Sequence, residues 1–362
     1  ARRQWGYSWL LRNLTMIPIL FAPALAASGR QIGALLLIFL PFFFFNFFKG
    51  TGLVGVNPIV GALSEGKDRG SFLARSQINI HIVLIITNLI IAFALGPNAE
   101  ISRYLTLIST GIVAGIVSTF FLFKIPERSG NGRGTESSLI AGIKKGLGRP
   151  DFRYFITLIG LVALITGMAN PFLVLFAKKI YNLSDQAVVF FLVIGSTGAI
   201  TMGLITRKLI DRLGAKPLYL MFLCVLCLSI ILLLAAPNLG EVSKLVYLGF
   251  LFFLYNFGFV GGASSAQNYF FNITHTDEHM NLGLLNNVAA GAAGTIGALA
   301  GGAVLVAFES LFTMPENAFR ALYSIALVLL ILCFPLVFKL KNIGNFSVRD
   351  AFEVFISRRN LR

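Results

Sequence analysis

The chain has 362 residues, of which 56% are hydrophobic and only 12% charged, and its formal net charge is +15. Soluble domains carry about 25% charged residues, so this composition excludes soluble enzymes, nucleic-acid-binding domains and disordered chains. Thirty-five Phe and 36 Gly suit lipid-facing helices that approach one another closely in places, and the fold class read from composition is an all-α polytopic membrane protein.

A membrane-crossing helix needs about 20 mainly apolar residues. Ten such spans are predicted, at 9–28, 32–63, 72–95, 101–124, 153–176, 186–207, 217–236, 243–272, 282–308 and 319–340. The second is too long for a straight crossing, and Pro41 and Pro58 within it predict a kink, a tilt or an extension into the cytoplasm. The hydrophilic stretch 125–152 divides four helices from six and reads as a linker. Leu139, Ile140, Ile143 and Leu147 recur in it at helical spacing, which predicts a short helix on the membrane surface. The tail 341–362 places Val348, Phe352, Phe355 and Ile356 on one face, with Arg358, Arg359 and Arg362 at its end, as an interfacial helix on anionic lipid would. The domain organisation read from this is a partial N-terminal bundle (1–124), the linker, a C-terminal six-helix bundle (153–340) and the amphipathic tail.

Lys and Arg stay on the cytoplasmic side during insertion. With the N-terminus inside, inner segments hold 23 basic residues and outer segments 6, with Lys49 inside a span. Both ends and the linker are therefore expected to be cytoplasmic. The same distribution accounts for the basic charge without any nucleic-acid partner.

Sliding the chain by 213 residues lays the first four spans on the last four in order, and lays Glu65 on Glu278 and Gly70 on Gly283. Internal symmetry of this kind marks transporter folds. The spans 153–176 and 186–207 have no counterparts, so two helices are expected ahead of residue 1, giving six plus six. The shift also sets Arg3 opposite Lys216.

All 15 acidic residues fall in loops or at span ends, and Lys49 and His81 are the titratable side chains deep in spans. An ammonium at the bilayer centre costs about 2.5–3.5 kcal/mol unless it faces a cavity or a partner. Asn46, Lys49 and Asn57 share one helix face; Gln77, His81 and Asn88 form a polar stripe on the next span. Asn170, one turn after Thr166, and Tyr255, Asn256 and Gln267 are further candidates for a cavity wall. A fixed cation without a fixed carboxylate favours an anionic or polar neutral solute over a cationic one. Ala293, Gly297 and Gly301 repeat every four residues and predict close helix packing, with dimerisation a lesser option. Cys224, Cys227 and Cys333 sit among apolar residues and read as packing, not redox chemistry. His275, Glu278 and His279 match a zinc-protease spacing but fall in a short loop, so no metal is assigned.

The loop GLITRKLIDRLGAKP, with Asp211, Arg212, Gly214 and Lys216, resembles the loop signature of the major facilitator superfamily. Arg207 stands where that signature opens with Gly, and Ala215 replaces a basic residue. ARRQ at the start looks like the tail of the same signature in the other half. The run GTGLVGVNPIVGALSEGKDRGSFLARS, with Pro58, Glu65, Arg69 and Gly70, looks like the family's fourth helix and following loop. In helix order the resemblance covers the whole chain, as helices three to twelve. It implies a rocker-switch carrier with a midplane site between its halves, Lys49 standing in for a frequent Arg. It also implies that Asp211, Arg212, Gly214, Lys216, Glu65 and Arg69 take part in gating. The fifth family helix, SFLARSQINIHIVLIITNLIIAFAL, lacks the Gly and Pro of drug–proton antiporters. The expected function is secondary active transport of a small solute by alternating access, in a bacterial inner membrane. Its expected partners are a small-molecule substrate, a coupling proton or cation and membrane lipid. No cofactor is expected, and the chain is read as a monomer and not an enzyme. The rival class is a polytopic enzyme acting on a lipid or lipid-linked substrate, for which only the 275–279 loop offers clustered groups.

Overall fold

The computed structural model describes residues 2–63, 69–96, 100–125, 139–235, 240–275 and 278–342. Among these the chain is helical throughout. The helices are α1 (Arg2–Leu14), α2 (Ala22–Ala27), α3 (Gln31–Leu63), α4 (Arg69–Leu95), α5 (Ile101–Leu122), α6 (Leu139–Leu147) and α7 (Pro150–Tyr181). They continue with α8 (Asp185–Leu213), α9 (Ala215–Ala235), α10 (Glu241–Ile273), α11 (His279–Leu311), α12 (Pro315–Ile331) and α13 (Phe334–Lys339). Ten segments are long and apolar enough to cross a membrane, and each overlaps one of the ten spans read from the sequence. Hydrocarbon offers backbone groups no water, so each segment closes its hydrogen bonds within itself. The linker helix also forms, as α6. The tail helix falls in 343–362, outside the described residues.

Proline interrupts the first and last spans, whereas the long second span, read as kinked, tilted or extended, is one helix. Helix α3 runs unbroken through Pro41, for 33 residues. The first span instead stops at Leu14 and resumes as a 3-10 turn, Ile17–Phe21, followed by α2. The last span stops at Ile331 and resumes as α13. Leu14 and Ile331 each lie four residues before a proline, Pro18 and Pro335. That is the carbonyl a proline ring strikes and whose hydrogen bond it cannot supply. At the first break Thr15 N–H donates to the Leu11 carbonyl, Met16 N–H to that of Asn13, and the Thr15 hydroxyl to that of Arg12.

The chain forms two compact units. In the first (Ala1–Leu63, Phe93–Ile143, Thr276–Val288), α1 packs between α3 and α5. Gly52 of α3 lies against the Trp9 ring, and Thr51 O–H donates to the Ser8 hydroxyl at 3.2 Å. On the other side Gly6 meets the Phe123 ring, and Gly115 of α5 meets the amide of the buried Asn13.

The second unit (Ser64–Ala92, Lys144–His275, Ala289–Arg362) holds the larger core. Helix α10 packs on both α8 and α9. Gly198 sits on the Phe253 carbonyl, and a Cβ at Gly258 would come 2.8 Å from the Leu226 nitrogen. Phe176, Phe319 and Tyr323 form an aromatic cluster between α7 and α12. Gly294, Gly297 and Gly301 of α11 lie against the α7 backbone at Gly167, Leu164 and Met168. Two members of the small-residue repeat seen in the sequence thus bring two helices of one chain together.

Candidate functional site

Polar side chains at mid-depth in each unit are the candidates for a solute site. Helix α3 turns Phe45, Phe48 and Gly52 toward α1, and Lys49 borders that face, one turn from both Phe45 and Gly52. Lys49 is exposed, and among the described residues it has no hydrogen-bond or ion-pair partner. Asn46 is also exposed, its amide donating to the Phe42 carbonyl of its own helix at 2.8 Å. The side chain of Asn57 is outside the described residues.

His81 is buried. It follows Ala74 and Ile78 on one face of α4, and those two lie against Gly203 of α8. The imidazole therefore points along a packed face, and its Nδ1 is buried without a hydrogen bond. Gln77 and Asn88 are half-buried. Asn170 is exposed on α7, whereas the Thr166 hydroxyl one turn earlier is spent on the Val162 carbonyl of its own helix. Tyr255 is fully buried with an unbonded hydroxyl, its ring stacked on Phe259. Asn256 donates to the Phe252 carbonyl at 3.0 Å and covers Gly195 of α8. Gln267 is half-buried.

The loop between α8 and α9 turns at Gly214, whose φ is +88°, a left-handed backbone that glycine adopts without strain. Lys216, two residues on, is buried, and its ammonium donates to the carbonyls of Phe338 at 3.0 Å and Leu340 at 2.6 Å. It closes the end of α13, where carbonyls have no helical partner. In the first unit Arg2 does the same for the end of α5, donating to the Ile125 carbonyl at 3.1 Å. Ile125 and Phe338 are 213 positions apart, and so are Arg3 and Lys216. The two units therefore close equivalent helix ends with a cation from the first turn of equivalent helices, α1 and α9, displaced by one residue. Glu65 and the side chains of Arg69, Asp211 and Arg212 are outside the described residues.

One residue escaped the sequence reading. The span read at 9–28 places Arg12 near its inner edge, but α1 begins at Arg2, so Arg12 lies ten residues into the helix. At 1.5 Å per residue that is about 15 Å along the helix, near the middle of the candidate span Arg2–Ala27. Its guanidinium stacks 4.1 Å from the Trp9 ring centroid and 4.6 Å from that of Phe45. Among the described residues it has no acidic partner, and its Nε is buried without a hydrogen bond. The available signal was Trp9 three residues earlier on the same helix face.

The sequence matches the Major Facilitator Superfamily over residues 9–283. The chain belongs to that superfamily. Solved structures agree in fold. A bacterial homologue of the iron transporter ferroportin, in an outward-facing state, has a TM-score of 0.63 at 16% identity, covering 94% of this chain and 82% of that one. The proton:xylose symporter XylE gives 0.64 at 12% identity, covering 98% and 83%. A human organic anion transporter gives 0.56 at 13% identity, covering 93% and 82%. No curated protein matches the sequence significantly. At these identities the likeness extends to the major-facilitator fold and not to the solute.

Proposed function

We propose that the chain is a secondary active carrier of a small anionic or polar neutral solute, opening one site alternately to either side of the membrane. Superfamily membership supports the carrier class, and the solved symporters of the same fold are of that class. The observation that carries the solute reading is Lys49, a mid-span ammonium on an exposed face without an acidic partner among the described residues. Holding it there is costly in hydrocarbon, and a polar solute or a wet cavity removes that cost. The basic residues at the span ends support cytoplasmic ends and linker. A proton or cation gradient is the proposed driving force.

The test is uptake of labelled solutes into proteoliposomes, with and without an imposed proton gradient. Solute accumulation that collapses with the gradient is expected. Lys49→Ala is expected to raise the solute KM at least tenfold, a charge-assisted hydrogen bond being worth about 1.5–3 kcal/mol. Wild-type kinetics in Lys49→Ala would remove it from the site, and absence of uptake for every solute would overturn the carrier reading.

A further inference from the structure

We infer that Arg12, clamped between Trp9 and Phe45, is the anion-binding residue of this carrier, and that with Lys49 it receives the carboxylate or phosphate group of a small organic anion. The inference rests on the carrier reading for its place in transport, but its geometry stands alone. The guanidinium belongs to a residue near the middle of the candidate span Arg2–Ala27 and lies 4.1 Å from one ring centroid and 4.6 Å from the other. Aromatic faces hold a cation by its plane and leave its N–H edge free. Nothing else uses that edge among the described residues: Arg12 has no carboxylate and no carbonyl acceptor there.

A structural role as a helix cap accounts poorly for it. Arg12 lies in the last turn of α1, where a cation complements the helix dipole. Yet the carbonyls of Leu11, Arg12 and Asn13 already accept from Thr15 and Met16, and that of Trp9 accepts from the Asn13 amide at 2.8 Å. The break that exposes this end comes from Pro18 and needs no arginine. Lys49 lies one turn of α3 from Phe45 and is a second basic residue on that helix. All acidic residues of the chain lie in loops or at span ends. Two cations at mid-span without an acid make a site for a negative solute. A planar fork beside a point charge suits two oxygens of a carboxylate or phosphate.

The site carries its own reporter. The chain has two Trp, Trp5 and Trp9, and Trp9 is the ring beneath the guanidinium. In purified full-length protein carrying Trp5→Phe, tryptophan emission is titrated with succinate, inorganic phosphate and neutral succinamide at constant ionic strength. A saturable change with succinate or phosphate, and none with succinamide, is expected. Whichever of the two binds more tightly separates a carboxylate site from a phosphate site. Arg12→Gln should weaken binding at least tenfold, Arg12→Lys by less, and Lys178→Gln, at an exposed ion pair with Asp185, should leave it unchanged. Lys49→Gln, which leaves the aromatic clamp intact, should also weaken it about tenfold and serves if Arg12→Gln fails to fold. Equal response to succinamide, wild-type anion affinity in Arg12→Gln or in Lys49→Gln, or no saturable response to either anion would overturn the inference. Anion binding without uptake of any solute would sink the carrier reading alone. Uptake without anion binding would sink this site alone.

Discussion

At the scale of single residues, what the sequence discloses depends on how clearly a position stands out from its surroundings. Gly214 stands in a loop whose pattern demands a turn, and its φ of +88° is that turn. A side chain there brings Cβ against the following carbonyl, costing about 1–2 kcal/mol. Gly214→Ala is therefore expected to lower the thermal midpoint of the detergent-solubilised protein, whereas Gly240→Ala, at a glycine with open space around it, should lower it little. Equal losses in the two would remove the strain argument. Lys49 was legible because apolar residues run far to both sides of it. Arg12 was not, because its reading depended on where the first helix begins. A span read from residue 9 puts Arg12 near its inner edge, whereas a helix that begins at Arg2 puts it ten residues in. His81 was legible as a buried polar group, but its packing beside Ile78 and Ala74 depends on α8, which residue spacing on α4 does not reveal.

At the scale of helices, length and apolarity fixed the ten spans, while the interruptions followed local steric rules. Pro18 and Pro335 end helices four residues upstream, yet Pro41 and Pro171 lie inside unbroken ones. What decides between the outcomes is whether neighbouring groups satisfy the freed carbonyls, and a sequence does not show neighbours. The glycine stripe of α11 was more readable, since small residues four apart have one efficient use. Gly297→Leu would drive a side chain into the Leu164 backbone, and Gly301→Leu into Met168 and Phe172. Overpacking of this kind costs about 1–3 kcal/mol, so both should lose monodispersity on heating, whereas Gly291→Ala, with nothing within 4 Å, should not. The equivalent helix-end closures make a paired prediction. Lys216→Met leaves the Phe338 and Leu340 carbonyls unmatched, and Arg2→Met leaves that of Ile125 unmatched. Hydrogen exchange should speed up in 334–342 for the first and in 119–125 for the second. Acceleration confined to one of the two would break the equivalence drawn from the 213-residue shift.

At the scale of the whole molecule, the proposed direction of insertion rests on charge. Moving Arg12 into the membrane leaves 22 basic residues on the inner segments against 6 on the outer, with Arg12 and Lys49 inside spans. A single misplaced residue does not alter so lopsided a distribution, so the orientation argument survives the correction that relocates Arg12. It also separates two kinds of positive charge in this chain. Those at span ends are the ones that set topology, whereas the two within spans are costly to insert and call for a functional explanation. Topology can be read with single cysteines, because Cys224, Cys227 and Cys333 lie within or at the ends of spans, where an impermeant reagent does not reach. Lys144→Cys, exposed on α6, and Val242→Cys, exposed at the outer start of α10, should be labelled from opposite sides. In right-side-out vesicles a membrane-impermeant maleimide should modify Val242→Cys at once and Lys144→Cys only after permeabilisation. The reverse pattern would invert the protein and defeat the charge argument. Labelling of both from outside would mean that an even number of crossings separates them, where α7, α8 and α9 must together make three.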